Sequence, residues 1–291
     1  MTAIKIDAHH HLWDLKAVHY PWLMAKGEVR FFGDPAPIQR NYLLDEFSHD
    51  AKAHGFSASV HIQVGAQDGY QEASWVDEVA SKAGWQMKQV AFCDLSADDV
   101  EAQLDRLTAL SSVAGVRQII GRAPGEDATT GTQKLINSAA FQKGLQSLID
   151  RELSFDLQLL PELMTPMADI LADKPRLKVA LCHAGSPYDR SHEGIANWAE
   201  QLKSLSSLPQ IYAKLSGLGM FQHGWQTEDF RPITSVVIDQ FTSKRVMFGS
   251  NFPVDSLTSD YNRLITSYKA LIPHDMQDQI FGLTAAGFYR F

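Results

Sequence analysis

The chain has 291 residues, and its 26 Lys and Arg against 34 Asp and Glu give a formal net charge of −8. A composition 45% hydrophobic and 21% charged can bury a large core and argues against wholesale disorder. No Lys/Arg-rich run suggests a nucleic-acid or anionic-membrane surface, and no apolar run approaches the roughly 18–20 residues that span a bilayer.

The opening MTAIKIDAHH has no apolar leader ahead of its first acid and histidines, so the expected location is cytoplasmic. The two cysteines, Cys93 and Cys182, match neither a disulfide framework nor a CxxC site. Histidine stands out: there are 11, three of them consecutive at His9, His10 and His11.

In chain order, the first predicted strand is Ile4–His9. A long interval, Leu12–Phe56, follows, rich in aromatic residues and proline, including Trp13, Tyr20, Pro21, Trp22, Phe31 and Phe32. Short apolar runs then predict strands at Ser57–Gln63, Gln89–Asp94, Val113–Ile119, Ser154–Gln158, Leu177–His183, Gln210–Ser216 and Arg245–Asn251. Helical spacing falls between them at Gln71–Ala83, Val100–Leu110, Leu135–Arg151, Glu162–Ala172, His192–Leu205 and Arg263–Leu271.

Eight strands alternating with helices predict an α/β chain folded as one (β/α)8 TIM barrel over 1–291, distorted by the long loop after strand 1. A doubly wound open sheet is the alternative, weakened by the lack of GxGxxG after the first strand. In a barrel, Leu12–Phe56 leaves from the C-terminal rim, where active sites sit. It can wall the pocket, with Trp22 against substrate, or be a structural flap.

Alternation places Lys5, Asp7, His9 and His11 on one face of strand 1, taken as inward, and Ile4, Ile6 and Ala8 on the other. The same reasoning groups His61 with Gln63, Asp156 with Gln158, Lys214 with Tyr212 and Ser216, and Asn251 with Met247 and Gly249. Arg117 lies opposite Val116, and His183 is in phase with Val179 and Leu181. Polar residues ending several strands at one rim describe a polar bowl, because burying such groups unpaired is costly.

His9-x-His11 at a strand end is a two-imidazole arrangement that can bind a divalent ion, with His183 the best third donor. Zinc held there would make a nucleophilic water near neutral pH. The plain alternative is a hydrogen-bonded polar cluster without metal.

At these residues the chain resembles the amidohydrolase-related (amidohydrolase 2) family, in particular its sugar lactonases of the L-fucono-1,5-lactonase type and 2-pyrone-4,6-dicarboxylate lactonases. The motifs are IDAHHHLWD with YPWL, GVRQII, the strand ending His183-Ala184-Gly185-Ser186-Pro187, YAKLSGLGMF and MFGSNFPVD. The resemblance implies a distorted TIM barrel that hydrolyses a cyclic ester. It also implies His9 and His11 holding a metal or substrate, and His183 polarising a carbonyl or orienting water. Arg117 carries over at strand 4. The family commonly has an Asp at the end of strand 8, in a pattern like GSDWP, where this chain has Asn251, and metal-rich relatives carry a stronger ligand where it has Gln158. Asn cannot accept a proton at neutral pH, which puts tight metal binding and the general base in question.

The expected function is therefore a lactonase acting on a sugar-acid or related carboxylated lactone. His183, Asn251 and Asp255 form the catalytic set, with Asp255 as a substitute base or, equally, a helix cap. Arg117, Lys214, Gln63 and Trp22 bind substrate, although Arg117 and Lys214 could each sit in an internal ion pair. The cofactor is a divalent metal, zinc first, or none. The partner is a small-molecule substrate rather than nucleic acid or membrane, and a homo-oligomer stays open. Decarboxylation, amide or ester hydrolysis, and a non-catalytic binding barrel are the other readings.

Overall fold

The computed structural model describes residues 3–126 and 132–291. Its strands are β1 (Ile6–His10), β2 (Ala58–Ile62), β3 (Gln86–Phe92), β4 (Val113–Arg117), β5 (Ser154–Leu157), β6 (Val179–Leu181), β7 (Ile211–Leu215) and β8 (Val246–Phe248). All are parallel and paired in sequence order. The helices are α1 (Pro21–Met24), α2 (Leu44–Ala53), α3 (Gly69–Lys82), α4 (Val100–Thr108), α5 (Thr132–Ile136), α6 (Ala139–Asp150), α7 (Met164–Ala172), α8 (His192–Ser206), α9 (Arg231–Phe241), α10 (Tyr261–Leu271), α11 (His274–Asp278) and α12 (Thr284–Tyr289). This is the (β/α)8 barrel read from the sequence.

The ring closes between β1 and β8 just beyond their last ladder residues. Asn251 N donates to His9 O at 2.7 Å and His11 N to Phe252 O at 2.7 Å. Asp7 fastens this seam from outside the barrel. Its Oδ1 accepts from Ser250 N and His9 N, and its Oδ2 accepts from the Tyr261 hydroxyl on α10. Burial nevertheless pushes the Asp7 carboxyl up to about 6.

Apolar packing falls into two layers. Ile6, Ala8, Val60, Ile62, Val90, Ala180 and Met247 fill the barrel interior, and Phe288 and Tyr289 of α12 join them. Val116, Phe155, Leu157, Val179, Leu181, Ile211, Ala213, Leu215 and Phe248 belong to the larger cluster under the surrounding helices.

This reverses the expected phase of strand 1. Ile6 and Ala8 point inward, and Asp7 points out to Tyr261. A β-bulge between Asp7 and His10 shifts the register. An extra residue in one strand undoes simple alternation, so His9 turns back inward beside Gly249 while His10 stacks on Phe47 of α2, ring centroids 3.8 Å apart.

Two helix expectations also change. Leu135–Arg151 is broken into α5 and α6, because Ser138 caps the second helix by accepting from Phe141 N. The Leu12–Phe56 interval is not all loop, since it contains α1 and the crossover helix α2.

Candidate active site

The C-terminal rim holds a cavity of about 310 Å³ whose walls include His11, Trp22, Arg30, Phe31, Phe32, Gly65, Arg117, Ile119, Arg122, Gln158, His183 and Asn251. Of the residues expected to serve the site, it brings His11, Trp22, Arg117, His183 and Asn251 to one surface. No Asp or Glu occurs among the described residues that line it.

His183 reaches this surface by a route strand alternation does not predict. Val179 and Leu181 face outward. After β6 the backbone turns left-handed through His183 (φ 54°), Ala184 (φ 52°), Gly185 (φ 72°) and Ser186 (φ 55°). For residues with a Cβ this conformation costs of order 1–3 kcal/mol each, and such strain concentrates at functional sites. Gly217 leaves room for the ring: a Cβ there would lie 2.4 Å from His183 Nδ1.

Ser216 fixes the His183 ring. Its Oγ accepts from the His183 backbone N–H at 3.3 Å and lies 3.0 Å from Nδ1. The Ser216 hydroxyl can either donate to Nδ1, with the ring proton on Nε2, or accept from it, and the contact fixes the ring plane in both cases. Burial, with Arg117 and Lys214 nearby, lowers His183 to about 3, so the ring is neutral at pH 7.

His11 has a fixed tautomer. Its Nδ1 lies 2.7 Å from Ile62 O, and a carbonyl only accepts, so Nδ1 carries the hydrogen. Burial and Arg117 hold this imidazole well below its ordinary value. Its Nε2 therefore presents a lone pair, 3.2 Å from Asn251 Oδ1. Asn251, also left-handed at φ 58°, donates from Nδ2 to Asp255 Oδ1 at 2.8 Å.

His9 lies beside both rings, its centroid 5.2 Å from His11 and 4.6 Å from His183, and neither of its ring nitrogens has a partner among the described residues. Burial keeps it neutral.

Asp255 is not the cap of the following helix. That role belongs to Asp260, which accepts from Arg263 N. Asp255 reaches back to Asn251, as the sequence allowed, but stands behind it and outside the pocket lining. Burial raises its carboxyl to about 7. Its contact makes it a positioning residue for the Asn251 amide.

Lys214 lies away from the pocket surface. Its ammonium is fully buried against Asp156 Oδ2 at 2.5 Å, and Tyr289 also donates to that carboxylate. The structure thus places Lys214 in the internal ion pair rather than at substrate. Arg117 stays at the pocket floor, tied to Gln158 Oε1 at 3.0 Å and to the Gln63 carbonyl. The Gln63 side chain opens into a neighbouring cavity instead of this one. His61 points outward, accepting from Leu12 N beside Glu72.

Arg30 and Arg122 were not legible as site residues because loop positions carry no periodicity. Arg30 is held by Glu126, through Nε at 3.2 Å and Nη2 at 2.9 Å, and Glu126 also accepts from Phe31 N. Trp22 donates its indole N–H to Val64 O at 2.7 Å, which packs the flap onto the end of β2.

Residues 6–291 match the amidohydrolase family. The chain belongs to this family. An uncharacterised protein of Sinorhizobium fredii, y4mH, is 32% identical, with 98% of each chain covered. An L-fucono-1,5-lactonase of Burkholderia multivorans is 26% identical over 91% of this chain and 87% of its own. A B. multivorans amidohydrolase crystallised with HEPES superposes with a TM-score of 0.84 at 25% identity, covering 99% of this chain and all of the other. A second crystal form of that protein contains zinc, with 24% identity, a TM-score of 0.83 and the same coverage. The lactonase-named relatives and the family support hydrolase activity.

Within this amidohydrolase, His9 offers unpartnered nitrogens that would suit a metal. The rest of the donor set does not. His11 donates Nδ1–H to Ile62 O, which leaves Nε2 as its only metal donor, but that nitrogen faces the Asn251 amide oxygen, and no carboxylate lines the pocket among the described residues. Among the described residues no group of three His, Cys, Asp or Glu could hold a metal ion. The residues as arranged do not fit the group.

Proposed function

We propose that this amidohydrolase is a lactonase that opens a sugar-acid or related carboxylated lactone by attack of water. The observation that carries this reading is a pair of neutral imidazoles, His11 and His183, lining one pocket beside Arg117. The Ser216 hydroxyl can donate to His183 Nδ1 and so leave the ring N–H on Nε2, and the Ile62 carbonyl leaves the lone pair of His11 on Nε2, at the wall it shares with Asn251. One ring can polarise a carbonyl while the other accepts a proton, which is the division of labour ester hydrolysis needs.

In this mechanism His183 Nε2–H donates to the lactone carbonyl oxygen. Water adds to the carbonyl carbon and gives its proton to His11 Nε2. Charge growing on the carbonyl oxygen is met by His183 and by the fixed guanidinium of Arg117. The intermediate collapses with cleavage of the ring C–O bond. The proton on His11 passes to the departing ring oxygen, and the open hydroxy acid results.

Asn251 stabilises the transient imidazolium. Its Oδ1 faces His11 Nε2 because its Nδ2 is held by Asp255. Oxygen opposite a lone pair is a poor contact, and oxygen opposite N–H is a good one. The amide therefore favours the protonated ring that forms during attack, which is stabilisation of the transition state over the ground state. Arg117, with no acid among the described residues that line the pocket, suits an anionic substrate.

The test is hydrolysis of a panel of aldonolactones by the wild type and by His183→Gln and His11→Gln. Loss of one oriented donor costs roughly 10²–10³ in kcat, so each variant should fall by at least that factor. Unchanged turnover in both variants, or no lactone opened by the wild type, overturns the assignment.

A further inference from the structure

We propose that the active-site pocket continues into a second subsite that takes a sugar residue attached to the lactone, so that the substrate is an aldonolactone bearing a second ring. This rests on the lactonase reading.

The pocket does not end at its rim beside the loops after β2 and β4. Gly65, Ile119 and Arg122 wall both it and a neighbouring cavity of about 260 Å³. The remaining walls of that second space are Gln63, Ala66, Phe92 and Gln118. A ligand seated over the histidines can therefore extend past these three residues without leaving the protein surface.

Phe92 ends β3 at this rim and is 38% exposed, the one aromatic among the exposed large hydrophobic residues described. Its position is built. A Cβ on Gly69 would lie 2.8 Å from Phe92 Cδ1 and 2.9 Å from its Cβ, so only glycine lets the first turn of α3 pack against the ring. Held on Gly69 with part of its face open, the ring is a platform for a flat apolar surface.

Two carboxamides flank this platform. Gln63 spends its carbonyl on Gly65 N, and its nitrogen has no partner among the described residues. Gln118 spends its carbonyl on Leu95 N and one amide hydrogen on Asp94, leaving the second. An aromatic face with amide donors at its edge matches a sugar ring, which has an apolar C–H face and hydroxyl oxygens around its rim. An acyl tail would need apolar walls, which Gln63, Gln118 and Arg122 do not supply.

The test compares ligands that share one aldonate. Calorimetry would measure binding of cellobionate, lactobionate and gluconate to the wild type, to Phe92→Leu and to Phe92→Ala. Leu keeps apolar packing against Gly69 but removes the ring face. The two disaccharide acids should bind the wild type at least about tenfold more tightly than gluconate, and that ratio should fall toward one in both variants. Equal affinities in the wild type, or a ratio that survives in both variants, overturns the proposal. The kcat/KM ratio of cellobiono-1,5-lactone to glucono-1,5-lactone should follow the same pattern. If no lactone is opened the lactonase reading fails, while the binding ratio still decides the subsite.

Discussion

Replacing Lys214 with Met should cost stability rather than substrate affinity. Lys214 and Asp156 are both fully buried inside the barrel, and their contact is direct. Met removes the ammonium and leaves the Asp156 carboxylate with the Tyr289 hydroxyl as its remaining strong partner. Breaking a buried pair in this way costs about 3–5 kcal/mol, because the surviving charge stays desolvated. For 291 residues the unfolding entropy is on the order of 0.6 kcal/mol/K, so Tm should drop by about 5–8 °C. Converting both residues together, in Asp156→Leu/Lys214→Met, should recover most of the loss, since apolar replacement of a buried pair is often near neutral. Calorimetric unfolding would be run beside lactone hydrolysis well below the transition. A Lys214→Met protein with Tm within about 1 °C of wild type and a raised KM would refute the reasoning and return Lys214 to the substrate.

Two further outcomes follow from the Asn251 region. Burial raises Asp255 to about 7, above an unfolded value near 3.8, so the folded state keeps a proton that the unfolded chain releases. Stability should then fall as pH rises from about 4 to 7, by up to about 4 kcal/mol from this group. Asp7, raised to about 6, acts in the same direction. Asp255→Asn should flatten the urea-midpoint profile between pH 4.5 and 7.5 relative to wild type, and an unchanged slope would count against it. Separately, Asn251→Asp places a carboxylate beside His11 and should raise zinc affinity, read by metal content after dialysis against a zinc buffer. Equal zinc content in the two proteins would show that the missing acid is not what limits the donor set.

Much of the architecture was legible because it depends on local pattern. Short apolar runs separated by helical spacing specify parallel strands with crossovers, and eight of them specify the barrel. Polar residues at the strand ends marked the correct rim, and His11, His183, Arg117 and Asn251 do meet there. The orientation of strand 1 was not legible, since the Asp7/His10 bulge adds one residue to the pleat and leaves no compositional trace. His183 was singled out for the right site on a strand phase that the structure replaces with a left-handed turn.

The sequence by itself determined the number and order of elements and the residue types available at the rim, because these follow from periodicity and from the cost of burying polar groups. Tertiary structure alone decided what each group does. It drew Lys214 down to Asp156 and set Asp255 behind Asn251. It tied the His11 ring to the Ile62 carbonyl and the His183 ring to the Ser216 hydroxyl. It also brought Arg30 and Arg122 in from loops. A side chain's charge and proton are settled by its neighbours, and those neighbours here come from strands and loops tens to hundreds of residues apart along the chain.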